Sequence, residues 1–306
     1  MDQERSSRAP SGGDAARRLA AATAALHDCH LCGNDCGIDR TQRAGPCGIA
    51  DTIHVASYGP HHGEEDVLRG RRGSGTIFFT GCNLHCVYCQ NYDISQQSTG
   101  FSVDAAGLAR IMLALEARCC HNINLVSPTH VASLLVPALV LAKEAGLAIP
   151  IVYNTGGYDA PQALALMDGL VDIYMPDMKY GDAAVGLTLS AVADYPEVNQ
   201  AAVREMHRQV GDLLIDDAGI AQRGLLVRHL VLPGGLAGTD LIVRFLAQEI
   251  STDTYINIMA QYRPAYRARA CATSDLPLGR RPTSLEITEA YSMARAAGLH
   301  RFDSRF

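Results

Sequence analysis

Three cysteines carry the first chemical signal: Cys82, Cys86 and Cys89, in the run Gly81-Cys82-Asn83-Leu84-His85-Cys86-Val87-Tyr88-Cys89-Gln90-Asn91. The run follows a strand-like apolar stretch, Thr76-Ile77-Phe78-Phe79. A cubane cluster of four irons and four sulfides takes four cysteine ligands. This spacing supplies three, so one iron would stay open to a substrate or cofactor, as catalytic metal sites keep an open position. The plainer alternatives are a zinc site and a set of reduced thiols. Zinc wants a fourth ligand, which only His85 folding back would provide, and a disulfide does not suit an intracellular chain.

A second set, Cys29, Cys32, Cys36 and Cys47, lies in a short Gly-containing segment. Four thiols close a site, so the expectation is structural: zinc, with His30 able to replace one thiol, or a second iron–sulfur cluster. Cys119 and Cys120 read as small buried residues and Cys271 as a lone loop cysteine. His61-His62-Gly63-Glu64-Glu65 reads as a polar loop near the mouth of the fold.

The elements that must position these residues alternate along the chain. Strand-like runs are Thr76–Thr80, Asn122–Ser127, Ile149–Asn154, Asp172–Pro176, Leu225–Leu232 and Tyr255–Gln261, with a short strand at Ile53–Ala56 before them. Between them, Asp104–Arg118, Val131–Ala145, Ala160–Asp168, Glu197–Asp216 and Thr239–Ile250 show helical spacing, and Ser284–Ala297 reads as a last helix. Near-continuous apolar strands alternating with helices give an α/β fold with a parallel sheet covered by helices. Residues 1–25 read as a disordered tail or short helix, 26–72 as a Cys-rich segment and 73–306 as the α/β body.

With 306 residues and 48% hydrophobic content the chain can bury a large core. A net charge of −6 argues against a nucleic-acid binder. No apolar run approaches a membrane span, and Leu134–Ala142 is broken by Pro137. Arg17-Arg18 heads an apolar stretch too short for an export signal, so an N-terminal helix is expected there. Ten cysteines at motif spacings read as metal binding in the cytoplasm.

In parallel α/β folds, ligands sit at the carboxyl ends of the strands. In order, those ends carry the cysteine triplet, Ser127-Pro128-Thr129-His130, Asn154-Thr155-Gly156-Gly157, Asp177-Met178-Lys179, Pro233-Gly234-Gly235 and Tyr262-Arg263-Pro264. Each alone is ordinary turn chemistry. Six in register predict a site.

The triplet, with aromatic Tyr88 before its third cysteine, resembles that of the radical S-adenosylmethionine (radical SAM) enzymes. Gly73–Leu84, Asn122–His130, Glu197-Val198-Asn199, Val227–Gly234 and Tyr255–Met259 narrow the likeness to the pyruvate formate-lyase-activating-enzyme-like branch with a cysteine-rich N-terminus, over roughly residues 29 to 298. The resemblance implies an open (β/α)6 partial barrel with a small Cys-rich N-terminal extension. It implies a [4Fe-4S] cluster on Cys82, Cys86 and Cys89, chelated at its free iron by SAM. SAM would be reductively cleaved to a 5′-deoxyadenosyl radical that takes hydrogen from a protein or small-molecule substrate, with a glycyl-radical enzyme as one candidate. A low-potential electron donor of flavodoxin or ferredoxin type is implied as partner. Carried over by position, Asp177 and Lys179 match an Asp-x-Lys pair that contacts SAM, and Tyr88, Ser127, Thr129, Asn154 and Arg263 fall at cofactor-binding positions. Three departures stand out: Ser127–His130 replaces a Gly-Gly-Glu motif, Asn154 stands where Asp is frequent, and Arg263 stands near the place of a His. The rival reading is an iron–sulfur or zinc-holding interaction protein with a non-catalytic SAM pocket.

Overall fold

The computed structural model describes residues 12–97 and 99–303. The tail expected at the N-terminus falls mostly outside them, and Gly12–His27 form the first helix, α1. The strands are β1 (Ile53–His61), β2 (Ser74–Phe79), β3 (Phe101–Val103), β4 (Ile123–Val126), β5 (Ile151–Thr155), β6 (Ile173–Pro176), β7 (Leu214–Ile215), β8 (Ala221–Leu230), β9 (Tyr255–Met259) and β10 (Arg301–Phe302). The further helices are α2 (Asp66–Arg69), α3 (Tyr92–Ser95), α4 (Ala105–Ala117), α5 (Ala132–Glu144), α6 (Pro161–Met167), α7 (Ala183–Ser190), α8 (Tyr195–Val210), α9 (Thr239–Phe245), α10 (Ala268–Cys271) and α11 (Ser284–Ala296).

Strands β2, β4, β5, β6, β8 and β9 pair in parallel in that order, β10 extends the β9 edge, and β1 lies antiparallel to β2. The six parallel strands are those expected from the apolar runs. Residues 53–61, assigned from sequence to the Cys-rich segment, thus belong to the same sheet as the α/β body.

The sheet curls into an open partial barrel. Glu65, before β2, bonds Arg228 on β8 and Asn257 on β9. Gln90 Nε2 also lies 3.5 Å from the Gln261 carbonyl, bringing the loop after β2 to the loop after β9. Inside the curl, Val152, Ile173, Met175, Leu226 and Tyr255 pack together with Val67 and Leu68. Outside, the sheet's other face packs on α1, α4, α5, α6, α8 and α9 in one apolar layer. Alternating inward and outward residues on each strand make this two-sided burial possible.

Local signals set several boundaries. Asp104 caps α4 by accepting from Gly107 N at 2.6 Å, and Thr283 with Glu286 forms a capping box at α11. The helix expected over Glu197–Asp216 starts earlier, at Tyr195, and stops at Val210, because Gly211 takes φ 73° and turns the chain into β7. The apolar spacing read through Ile250 ends instead in a π turn over Leu246–Ile250. Helix α7 escaped the sequence reading: its eight residues carry no clean apolar stripe, and its signal is the capping carboxylate of Asp182.

Candidate functional site

The carboxyl ends of the parallel strands open on one cavity of about 470 Å3. Cys82, Leu84, Cys86, Tyr88 and Cys89 line it from the loop after β2. Ser127, Asn154, Gly156, Asp177, Lys179, Arg228 and Asn257 line it from the later strands and their ends. Of the residues expected at the cofactor, the structure brings together the three cysteines, Tyr88, Ser127, Asn154, Asp177 and Lys179.

Two expected residues are not brought there. Thr129 is buried outside the cavity lining, its hydroxyl 2.7 Å from Asp159 Oδ1 and 2.9 Å from Thr155 Oγ1. Arg263 is exposed and also outside the lining. The sequence could place both just after a strand, but not say which way each side chain points.

The triplet loop is held by its surroundings. At Gly81, φ is 83°, and a Cβ there would stand 2.5 Å from the Cys47 carbonyl, so glycine is required twice over. Leu84 N points to Cys82 Sγ at 3.4 Å, Ser190 Oγ to Cys86 Sγ at 3.0 Å, and Cys89 Sγ lies 3.2 Å from Ser95 Oγ. Burial pushes the Cys82 thiol up to about 12, and burial also raises Cys86 against the pull of Lys179. Thiolates here therefore call for positive charge from a metal. Among the described residues, no three His, Cys, Asp or Glu side chains converge on the place of a single metal ion, whereas a cubane cluster takes each thiolate on a different iron.

Space beside the triplet is kept open. Gly156 lines the cavity, and a Cβ on it would meet Leu84 at 3.0 Å and Lys179 Cε at 3.7 Å. Lys179 pairs with Asp177 inside the cavity wall. Burial opposes the Lys179 charge, but the Asp177 carboxylate together with Cys86, Tyr88 and Tyr195 outweighs it and holds the ammonium well above its usual range. Ser127 has φ 56°, an uncommon conformation for a non-glycine residue, and its N–H donates to Asn154 O at 2.8 Å. Asn199 Nδ2 donates to the carbonyls of Gly157 and Asp177, each at 2.9 Å, which fixes the loops after β5 and β6 together.

A buried ionic cluster also lines the cavity, where the sequence suggested only a polar loop. Arg228 donates to Glu65 through Nε at 2.7 Å and Nη2 at 2.7 Å, and pairs with Glu64 through Nη2. Asn257 Nδ2 donates to Glu65 Oε1 at 2.7 Å. Burial works against the Arg228 charge, but Glu65 and Glu64 outweigh it and hold the guanidinium well above its usual value. The available signal was Arg228 at the end of the apolar run Leu225-Leu226-Val227, together with the unexplained Glu64-Glu65 pair: buried charges come paired.

The N-terminal thiols lie elsewhere. Cys29 and Ile38 form an isolated antiparallel bridge, as do Cys32 and Asp159. Burial pushes Cys32 up to about 12, with Cys47 and Cys29 adding to the shift. None of the four lines the cavity.

A family model described as a 4Fe-4S single cluster domain matches residues 69–149, a stretch that contains the triplet and not the N-terminal four. The uncharacterized protein MJ0674 of Methanocaldococcus jannaschii is 32% identical over 283 residues, covering 89% of this chain and 75% of that protein. The chain belongs to the same family as that protein. Among solved structures, a radical SAM methyltransferase from Sphaerobacter thermophilus aligns with TM-score 0.49 and 17% identity over 76% of this chain and 67% of that one. TYW1 with a lysine-pyruvate adduct bound aligns with TM-score 0.41 and 10% identity, over 72% and 73% of the two chains. Both are distant likenesses of shape. No helix of the described residues is long and apolar enough to cross a membrane.

Proposed function

We propose that this chain is a radical SAM enzyme in which Cys82, Cys86 and Cys89 hold a [4Fe-4S] cluster and the same cavity takes SAM. The observation that carries the reading is the shared cavity: three thiols line it from one loop, while Lys179, Asp177 and Asn154 line it from other strand ends. The match of residues 69–149 to a 4Fe-4S single cluster domain supports the cluster. When bound, cluster and SAM supply reductive cleavage of the sulfonium, giving a radical that abstracts hydrogen.

The chain's own part is placement. Lys179 offers an ammonium to the SAM carboxylate, and Asp177 accepts from its amino or ribose groups. Gly156 leaves room between Leu84 and Lys179 for the ligand. Buried Leu84 and Tyr88 give the cavity an apolar wall that excludes water. Activation of a glycyl-radical enzyme rests on the sequence resemblance and is the finer reading; modification of a peptide or small molecule is its rival. The electron donor is a flavodoxin or ferredoxin. The N-terminal four cysteines, by type and number, would suit a structural metal, zinc or a second cluster, and as packed they do not converge on one ion.

Anaerobic reconstitution with iron and sulfide, followed by dithionite and SAM, tests the reading. About four irons per barrel cluster and release of 5′-deoxyadenosine are expected. A fully loaded protein that leaves SAM intact would be an iron–sulfur interaction protein instead.

A further inference from the structure

Cys86 differs from the other two cysteines in what stands behind it. Its sulfur accepts from Ser190 Oγ at 3.0 Å, Ser190 Oγ lies 2.7 Å from Tyr180 Oη, and Tyr180 Oη lies 2.7 Å from Tyr88 Oη. Each hydroxyl has one proton to give. Because Ser190 donates to sulfur, its oxygen must accept from Tyr180, and Tyr180 must in turn accept from Tyr88. The chain of donors therefore runs one way, toward Cys86.

All four side chains are buried, with Ser190 and Tyr180 each 1% exposed. Around them pack Leu84, Leu189, Val192, Tyr195 and Tyr262. In such surroundings a hydrogen bond is stronger than in water, and each donor polarises the next. The backbone fixes the alignment. Val87 N donates to Leu189 O at 2.9 Å, tying the triplet loop to the last turn of α7, and Ala191 at φ 61° ends that helix just after Ser190.

We infer that Ser190, backed by Tyr180 and Tyr88, tunes the reduction potential of the cluster that Cys86 ligates. The inference rests on the proposed function. Reduction adds negative charge to the cluster and its sulfurs, so a donor aimed at one sulfur favours the reduced state and raises the potential. Ser190 acts through Cys86 and is a positioning residue. Its hydroxyl is the element that the α7 connection contributes to the site.

The test is an EPR-monitored redox titration of anaerobically reconstituted wild type, Ser190→Ala, Ser190→Thr, Tyr180→Phe and Tyr88→Phe, with iron counted per chain. Ser190→Ala should move the midpoint to more negative potential. Tyr180→Phe should move it less in the same direction, Tyr88→Phe least, and Ser190→Thr, which keeps the hydroxyl, should stay near wild type. A purely packing role would leave the potential where it is. If Ser190→Ala does not retain its cluster, Tyr180→Phe decides: a negative shift supports the inference, and an unchanged midpoint overturns it. A fully loaded Ser190→Ala with the wild-type midpoint sinks this inference alone. A wild type that takes up no cluster sinks the proposed function and this inference together.

Discussion

Cys82, Cys86 and Cys89 open on the cavity at the strand ends, whereas Cys29, Cys32, Cys36 and Cys47 lie in a segment that touches none of it. The triplet is supported from outside its own loop, by Ser190, Ser95 and the turn at Gly81. The N-terminal segment does the supporting. Asn34 Nδ2 lies 3.6 Å from Cys32 Sγ and donates to Asn83 O at 2.8 Å, inside the triplet loop. Arg40 Nη1 donates to His130 O at 2.6 Å, and Ala160 N to Leu31 O at 3.1 Å. Gly33 sits where a Cβ would stand 2.3 Å from the Tyr158 ring. One cysteine set thus faces a ligand space, and the other braces the loops after β2, β4 and β5 that shape it. An open site and a brace are different uses of the same residue type.

The sharpest break between the two uses is mutational. Cys86→Ala should abolish the iron–sulfur absorbance and all 5′-deoxyadenosine release. Cys32→Ser combined with Cys36→Ser should keep the barrel cluster but lower the melting temperature, by more than about 4 kcal/mol in stability if a metal site is lost. Metal analysis of a chain lacking all three triplet cysteines should find about one residual ion if the N-terminal site is mononuclear. Equal loss of the barrel cluster in both variants would erase the distinction.

Next in size is the ionic cluster that joins the segment between β1 and β2 to β8 and β9. Glu65→Ala removes two hydrogen bonds from Arg228, which keeps Glu64, and the acceptor of Asn257 Nδ2, and should cost about 3 kcal/mol in denaturant unfolding. Its neighbour gives a pH signature. Burial alone would raise the Glu64 carboxyl, but Arg228 and His61 outweigh it and hold it at about 2, below its ordinary 4.5. A depressed folded pKa contributes stability that is fully present above 4.5 and is lost as pH falls through about 2. Glu64→Gln should flatten the acid limb of the stability curve in that window. An unchanged limb would show that the cluster does not hold the sheet.

Within the cavity, Lys179→Ala should weaken SAM binding by about 1.5–3 kcal/mol, roughly tenfold to a hundredfold, at constant iron content. Equal affinity in calorimetric titration would reduce the Asp177–Lys179 pair to ordinary strand-end chemistry.

Smallest is Thr129→Val. Because Thr129 bonds Asp159 outside the cavity lining, SAM affinity should hold while stability drops by about 1–2 kcal/mol. A loss of SAM affinity without loss of stability would return Thr129 to the ligand.

The sequence by itself determined the parallel α/β order, since near-continuous apolar runs alternating with helical spacing admit little else. It also determined where chemistry gathers, because parallel strands put their carboxyl ends on one side and the polar residues there could be read off in register. Spacing alone named Cys82, Cys86 and Cys89 as one set. It could not show what reaches that set from afar. Glu64 and Arg228 are 164 positions apart, and Cys86 and Ser190 are 104 apart. Thr129 and Ser127 follow the same strand, yet only Ser127 lines the cavity, because one turn of backbone decides which side chain faces it. These contacts exist only once the sheet curls: closure brings the segment before β2 against β8 and β9, and helix packing sets the last turn of α7 against the triplet loop.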